Sequence, residues 1–140
     1  MSDLTLEQYR NEEYLDFQNP SVLKAQQLAL EEVRAKFGNE YLFYSNGNWQ
    51  KGESGLFDST NPSNLNETIG TFQKASSTQA LQALDDAWTA YHEWQFVPAQ
   101  KRADYLFKMA EIMKRRRLEI NAWMISEAGK NYVEADADTA

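Results

Sequence analysis

The sequence predicts a mostly α-helical chain carrying one small three-stranded antiparallel β block. Three observations predict it. Apolar residues recur at helical spacing before residue 38 and again from residue 76 onward. Between them lies a stretch rich in aromatic and turn-forming residues, with partial alternation. Gly, Pro, Ser and Asn punctuate each change of period. The chain divides accordingly into an N-terminal extension and helix (1–40), a strand block (41–75) and helices to the end (76–140). Its 140 residues are enough for one domain with a real core and too few for two ordinary ones.

The first roughly 18 residues have no clear period. Tyr14 and Phe17 mark them as a segment laid across a neighbour. Asn19-Pro20 opens the first helix, since Asn caps orphan amides and Pro suits the first helical position. Leu23, Leu30, Val33 and Phe37 fall on one face of it, Lys24, Glu31, Arg34 and Lys36 face water, and Gly38 stops it. The strand block begins with Tyr41-Leu42-Phe43-Tyr44, followed by the turn dipeptide Asn46-Gly47 and by Trp49. A second run, Gly55-Leu56-Phe57, ends at the turn cluster Asn61-Pro62-Ser63-Asn64. Thr68 to Lys74 supplies the third strand. A sheet this small needs helices over one face.

Ser76-Ser77 caps the next helix, whose stripe is Leu81, Leu84, Trp88 and Tyr91, with Ala80, Ala83, Ala87 and Ala90 alongside. Pro98 opens another, faced by Ala103, Leu106, Ala110 and Met113, with Phe107 and Ile112 widening the face. The pattern continues through Ile120, Trp123 and Ile125 to Gly129. Unbroken, that helix would measure about 46 Å, so a bend is expected near Arg117-Leu118. Glu134, Ala135, Asp136, Ala137 and Asp138 then suit the first turns of a further helix.

Composition excludes several functions. A net charge of -7 opposes a nucleic-acid or anionic-membrane binder, both of which need a positive field. No apolar run approaches the roughly 20 residues of a membrane span. The polar, acidic start MSDLTLEQYRNEE is neither a secretory signal nor a transit peptide, which makes the cytoplasm the expected address. The sequon Asn66-Glu67-Thr68 is then a chance triplet. With no cysteine there is no disulfide, thiolate metal site or thiol nucleophile.

Candidate constellations are few. His92 is the single histidine, so no histidine metal site can be built, and its place near a helix end suits a boundary side chain. Glu134 and Asp138 share a helical face but lack the glycine and terminal glutamate of a calcium loop; a solvated helix start explains them better. Lys114-Arg115-Arg116-Arg117 is the one basic cluster. As a phosphate patch it would need Lys101, Arg102 and Lys108, which lie on several sides of the helix, so a solvated helix end is expected. Tyr41, Phe43, Tyr44, Trp49 and Phe57 could stack bases or sugars, but with Lys51 alone for charge they read as a sheet core or docking surface. No glycine-rich nucleotide motif or nucleophile elbow occurs.

From Asn61-Pro62 onward the sequence resembles the start of aldehyde dehydrogenases. The resemblance rests on Ile69-Gly70-Thr71, the aromatic spacing from Trp88 to Trp94, Pro98-Ala99-Gln100-Lys101-Arg102 and above all Glu127-Ala128-Gly129-Lys130. Tyr9-Arg10-Asn11-Glu12, Phe17-Gln18, Val33-Arg34-Ala35-Lys36-Phe37-Gly38 and the closing Glu134 to Ala140 are similar to the 1-pyrroline-5-carboxylate dehydrogenases of that family. The resemblance implies an α/β parent fold, this chain being the N-terminal, truncated part of its NAD-binding domain. It implies NAD-dependent oxidation of L-glutamate γ-semialdehyde to L-glutamate in proline breakdown. There a cysteine thiolate attacks the aldehyde, hydride passes to NAD, and water activated by a glutamate releases the acid.

The family's catalytic and cofactor-binding residues all fall beyond position 140. No catalytic, cofactor-binding or metal residue is therefore expected here, and no NAD is expected to bind this chain alone. Arg102, Glu127, Gly129 and Lys130 match family positions in structural roles, Gly129 ending a helix and the charged three anchoring helices against the missing part. The expected partner is the C-terminal remainder or a full-length dehydrogenase subunit, in a family that forms homo-oligomers. The alternative is a non-catalytic docking subunit.

Overall fold

Asn19 caps the first helix as its place before proline predicts: its side chain accepts from the Ser21 amide at 3.0 Å. The computed structural model describes residues 10–140. Among them are five helices: α1 (Pro20–Arg34), α2 (Ser77–Trp94), α3 (Ala99–Arg115), α4 (Arg117–Ala128) and α5 (Tyr132–Thr139). The strands are β1 (Asn39–Tyr41), β2 (Phe43–Ser45), β3 (Asn48–Gln50), β4 (Leu56–Asn61) and β5 (Asn64–Gln73).

The β block corrects the expectation of three antiparallel strands. One sheet is mixed, in the order β1-β5-β4, and β2 with β3 forms a separate hairpin. β4 and β5 are antiparallel, joined through the tight turn at Pro62-Ser63, whereas β1 runs parallel to β5 with Asn39 opposite Gly70 and Tyr41 opposite Phe72. The cause is local. Asn46 and Gly47 both have positive φ, the two-residue turn that folds β2 straight back onto β3. That closure leaves β1 to pair with β5, whose direction β4 has already set. Gly70 admits the Tyr41 ring, which a Cβ there would meet at 2.8 Å, and Tyr41 stacks on Phe72 at 5.2 Å.

The core lies where α1 crosses α4. Ala29, Val33 and Ala122 are buried, with Leu30, Phe37, Leu118 and Trp123 packed around them. Phe37 and Trp123 meet at 6.2 Å. The small residues Ala29 and Ala122 let the backbones approach, and the larger side chains seal the rim. Ile69 of β5 and Ala135 of α5 are buried too.

The expected bend falls at Arg116, where φ -98° and ψ 14° separate α3 from α4. Gly129 ends α4 in the left-handed conformation at φ 67°, close against Pro62. α2 begins with the reciprocal cap its sequence predicts: Ser76 accepts from the Gln79 amide, and the Gln79 side chain accepts from Ser76. Neither α2 nor α3 has a buried residue. The chain exposes 10904 Å² at 16.2 kDa. A folded monomer of that mass exposes about 7,500 Å².

Candidate functional site

Two features position side chains beyond ordinary packing: a buried polar network around Asp136, and the uncovered apolar faces of α2 and α3.

Asp136 sits on α5 at 1% exposure. Arg117 grips it with both arms of its guanidinium, Nε to Oδ1 and Nη2 to Oδ2, each at 2.6 Å. The Leu15 amide donates to Oδ2 at 2.8 Å and Asn121 Nδ2 to Oδ1 at 3.0 Å. Asn121 also contacts Gln26 Oε1 at 3.4 Å and accepts from the Thr139 hydroxyl at 2.6 Å. Gln26 donates to the Leu118 carbonyl, and Arg117 donates to that of Glu13. Burial pushes the Asp136 carboxyl up, but Arg117, the Leu15 amide and Asn121 together outweigh it and hold the group below the usual carboxylate range. Among the described residues no buried side-chain polar atom lacks a partner.

At the other end of α4's first turn, Arg116 and Lys36 both bind Glu119, at 2.9 and 3.0 Å. Hydrogen bonds from Arg116 and then Lys36 hold the Glu119 carboxyl down at about 2. The basic run is thus largely spent inside the chain, with Lys114 on Glu12, Arg116 on Glu119 and Arg117 on Asp136. For Arg117 this corrects the expectation of a solvated helix end; its side chain is 12% exposed.

The other candidates separate. His92 is exposed on α2. Glu134 completes the cap at Asn131 while Asp138 pairs with Lys130, so the two carboxylates serve different partners. Among the described residues no cluster could hold a metal ion. The aromatic block splits: Tyr41 and Phe57 both stack on Phe72, whereas Tyr44 and Trp49 meet edge to face on the hairpin. Glu127 accepts from Ser59 and thereby ties α4 to β4. Glu127 and Lys130 therefore find partners within this chain, and Arg102 lies exposed in the first turn of α3. Sequence reasoning missed Gln26, Asn121 and Asp136 as a joined group, because their common burial depends on residues far apart in the chain.

On α2 the stripe read from the sequence forms but is uncovered: Leu81 is 64% exposed, Leu84 54% and Trp88 58%. Leu106, Phe107 and Met109 are exposed on α3. Between the two helices lies an open groove of about 530 Å³, lined by Ala87, Tyr91, Trp94, Val97, Lys101 and Tyr105. Large apolar areas left open in this way mark interaction sites or ligand grooves.

A dinucleotide needs a strand leading into a glycine-bearing helix start whose free amides meet the pyrophosphate. Among the described residues no strand leads through a glycine-bearing turn into a helix start. The first amides of α2 and α5 are taken by Ser76 and Asn131, and Glu134 adds a negative charge at the latter. α3 follows Pro98 rather than a strand, and the described glycines sit in turns, in β5 and after α4. Among the described residues no helix is long and apolar enough to cross a membrane.

The aldehyde dehydrogenase family model matches residues 49–140, and the chain belongs to that family. Within it the similarity is to 1-pyrroline-5-carboxylate dehydrogenases. The enzyme of that name from Geobacillus thermodenitrificans is 39% identical over 132 residues, 94% of this chain and 25% of its own length. The 1-pyrroline-5-carboxylate dehydrogenase 2 of Bacillus subtilis is 36% identical over the same length. The Thermus 1-pyrroline-5-carboxylate dehydrogenase with bound NAD superposes with a TM-score of 0.92 at 39% identity, over 97% of this chain and 26% of that one. The chain thus spans about a quarter of the length of the relatives it matches.

Proposed function

We propose that this chain is the N-terminal portion of an NAD-dependent 1-pyrroline-5-carboxylate dehydrogenase, which oxidises L-glutamate γ-semialdehyde to L-glutamate, and that alone it is inactive. The observation that carries the reading is 39% identity to such an enzyme across 94% of the chain. The absence of cysteine supports inactivity, since aldehyde oxidation of this kind needs a thiolate. What the chain supplies is scaffold: α1 and α4 hold the core, and α2 and α3 offer apolar faces to further polypeptide. NAD would be held by that further polypeptide, where it would accept the hydride.

The test is NADH formation from the semialdehyde. The purified chain should give none. Co-expressed with a separate polypeptide supplying the other three-quarters of the Geobacillus thermodenitrificans enzyme, it should restore turnover that neither piece has alone. Unaided turnover would overturn the inactivity, and failure to restore it would overturn the assignment as a portion of this enzyme. The open faces of α2 and α3 also favour a second reading, a non-catalytic subunit docked on a full-length dehydrogenase; co-purification with an intact enzyme would support it.

A further inference from the structure

Residues 12–17 have no regular secondary structure, yet two of their backbone groups are bound by side chains far along the chain. The Leu15 amide is bound by Asp136 and the Glu13 carbonyl by Arg117. The Glu12 carboxylate meets Lys114 at 2.8 Å, and the Phe17 ring lies 5.5 Å from that of Tyr132. α5 follows directly, capped by Asn131, and packs on α4. It is fixed by burial of Ala135 and by Asp136, one of whose donors is the strap itself.

We infer that residues 12–17 are a latch that closes α5 onto α4, so that strap and helix each hold the other in place. Every long-range polar contact just named joins the strap to α3, α4 or α5. Removing the strap takes one donor from a buried carboxylate and an aromatic neighbour from Tyr132. Removing the carboxylate frees the Leu15 amide and leaves Arg117 without its pair. Coupling of this kind is reciprocal by thermodynamic necessity.

Amide hydrogen exchange on the full chain tests it. Deleting residues 1–17 should speed exchange across α5 by about tenfold or more, with the amides of Gln26 to Val33 in α1 changed less than about twofold. Asp136→Asn should release the Leu15 amide to a similar degree. In the Asp136→Asn background the deletion should add less than about threefold on α5, because the two changes break one coupling. If either severe variant unfolds, Phe17→Ala is the milder probe and should speed α5 exchange by about threefold. Unchanged exchange on α5, or effects that simply multiply, would overturn the latch.

Discussion

A carboxylate at 1% exposure remains an ion only while donors surround it, and Asp136 has four N–H groups on its two oxygens. Asp136→Asn should therefore lower the unfolding free energy by about 3 kcal/mol, read from urea denaturation, because it strands a nearly buried guanidinium. Acid should act through the same group. The folded carboxyl lies below its unfolded value of roughly 3.9, so its contribution is complete above about pH 4 and fades as pH falls through the folded value. Glu119 follows the same sign, from roughly 4.3 unfolded to about 2 folded. Stability should fall between about pH 4 and 2, and Glu119→Gln should flatten that fall in thermal melts across the range. A pH-independent melting temperature there would contradict both assignments. Little of this was legible in the sequence. Arg117 sits in a run of four cations that reads as solvated, and Gln26 and Asn121, 95 residues apart, interrupt apolar faces in a way that signals burial only once their partners are known.

The elements differ sharply in what holds them. α1 and α4 share a small core, so Val33→Ala should cost about 2 kcal/mol of stability. Leu84→Glu on the open face of α2 should change it by under about 0.5 kcal/mol while reducing binding of a hydrophobic dye. A large loss from Leu84→Glu would mean that α2 packs within this chain. Helix positions were legible because their signals are local: Asn19-Pro20, Ser76 with Gln79, and Gly129 each act within four residues. The bend between α3 and α4 was legible from length alone. Strand pairing was not. A three-residue β1 carries too little pattern to announce a parallel neighbour, and its partner was decided by the Asn46-Gly47 turn taking β2 and β3 out of contention. Likewise α2 and α3 form where their periodicity placed them, but periodicity says which side is apolar and nothing of what lies against it.

Taken whole, the chain exposes roughly 3,400 Å² more than the average folded monomer of its mass. The family was legible from scattered short motifs at turns and helix ends, Glu127-Ala128-Gly129-Lys130 above all. The union of Leu15 with Asp136 has a consequence in time. It links residues 121 positions apart. At ribosomal rates that distance is about ten seconds of translation, during which the strap has emerged but its acceptor has not been made. The Leu15 amide therefore cannot meet this acceptor until Asp136 has emerged, and until then water must solvate it.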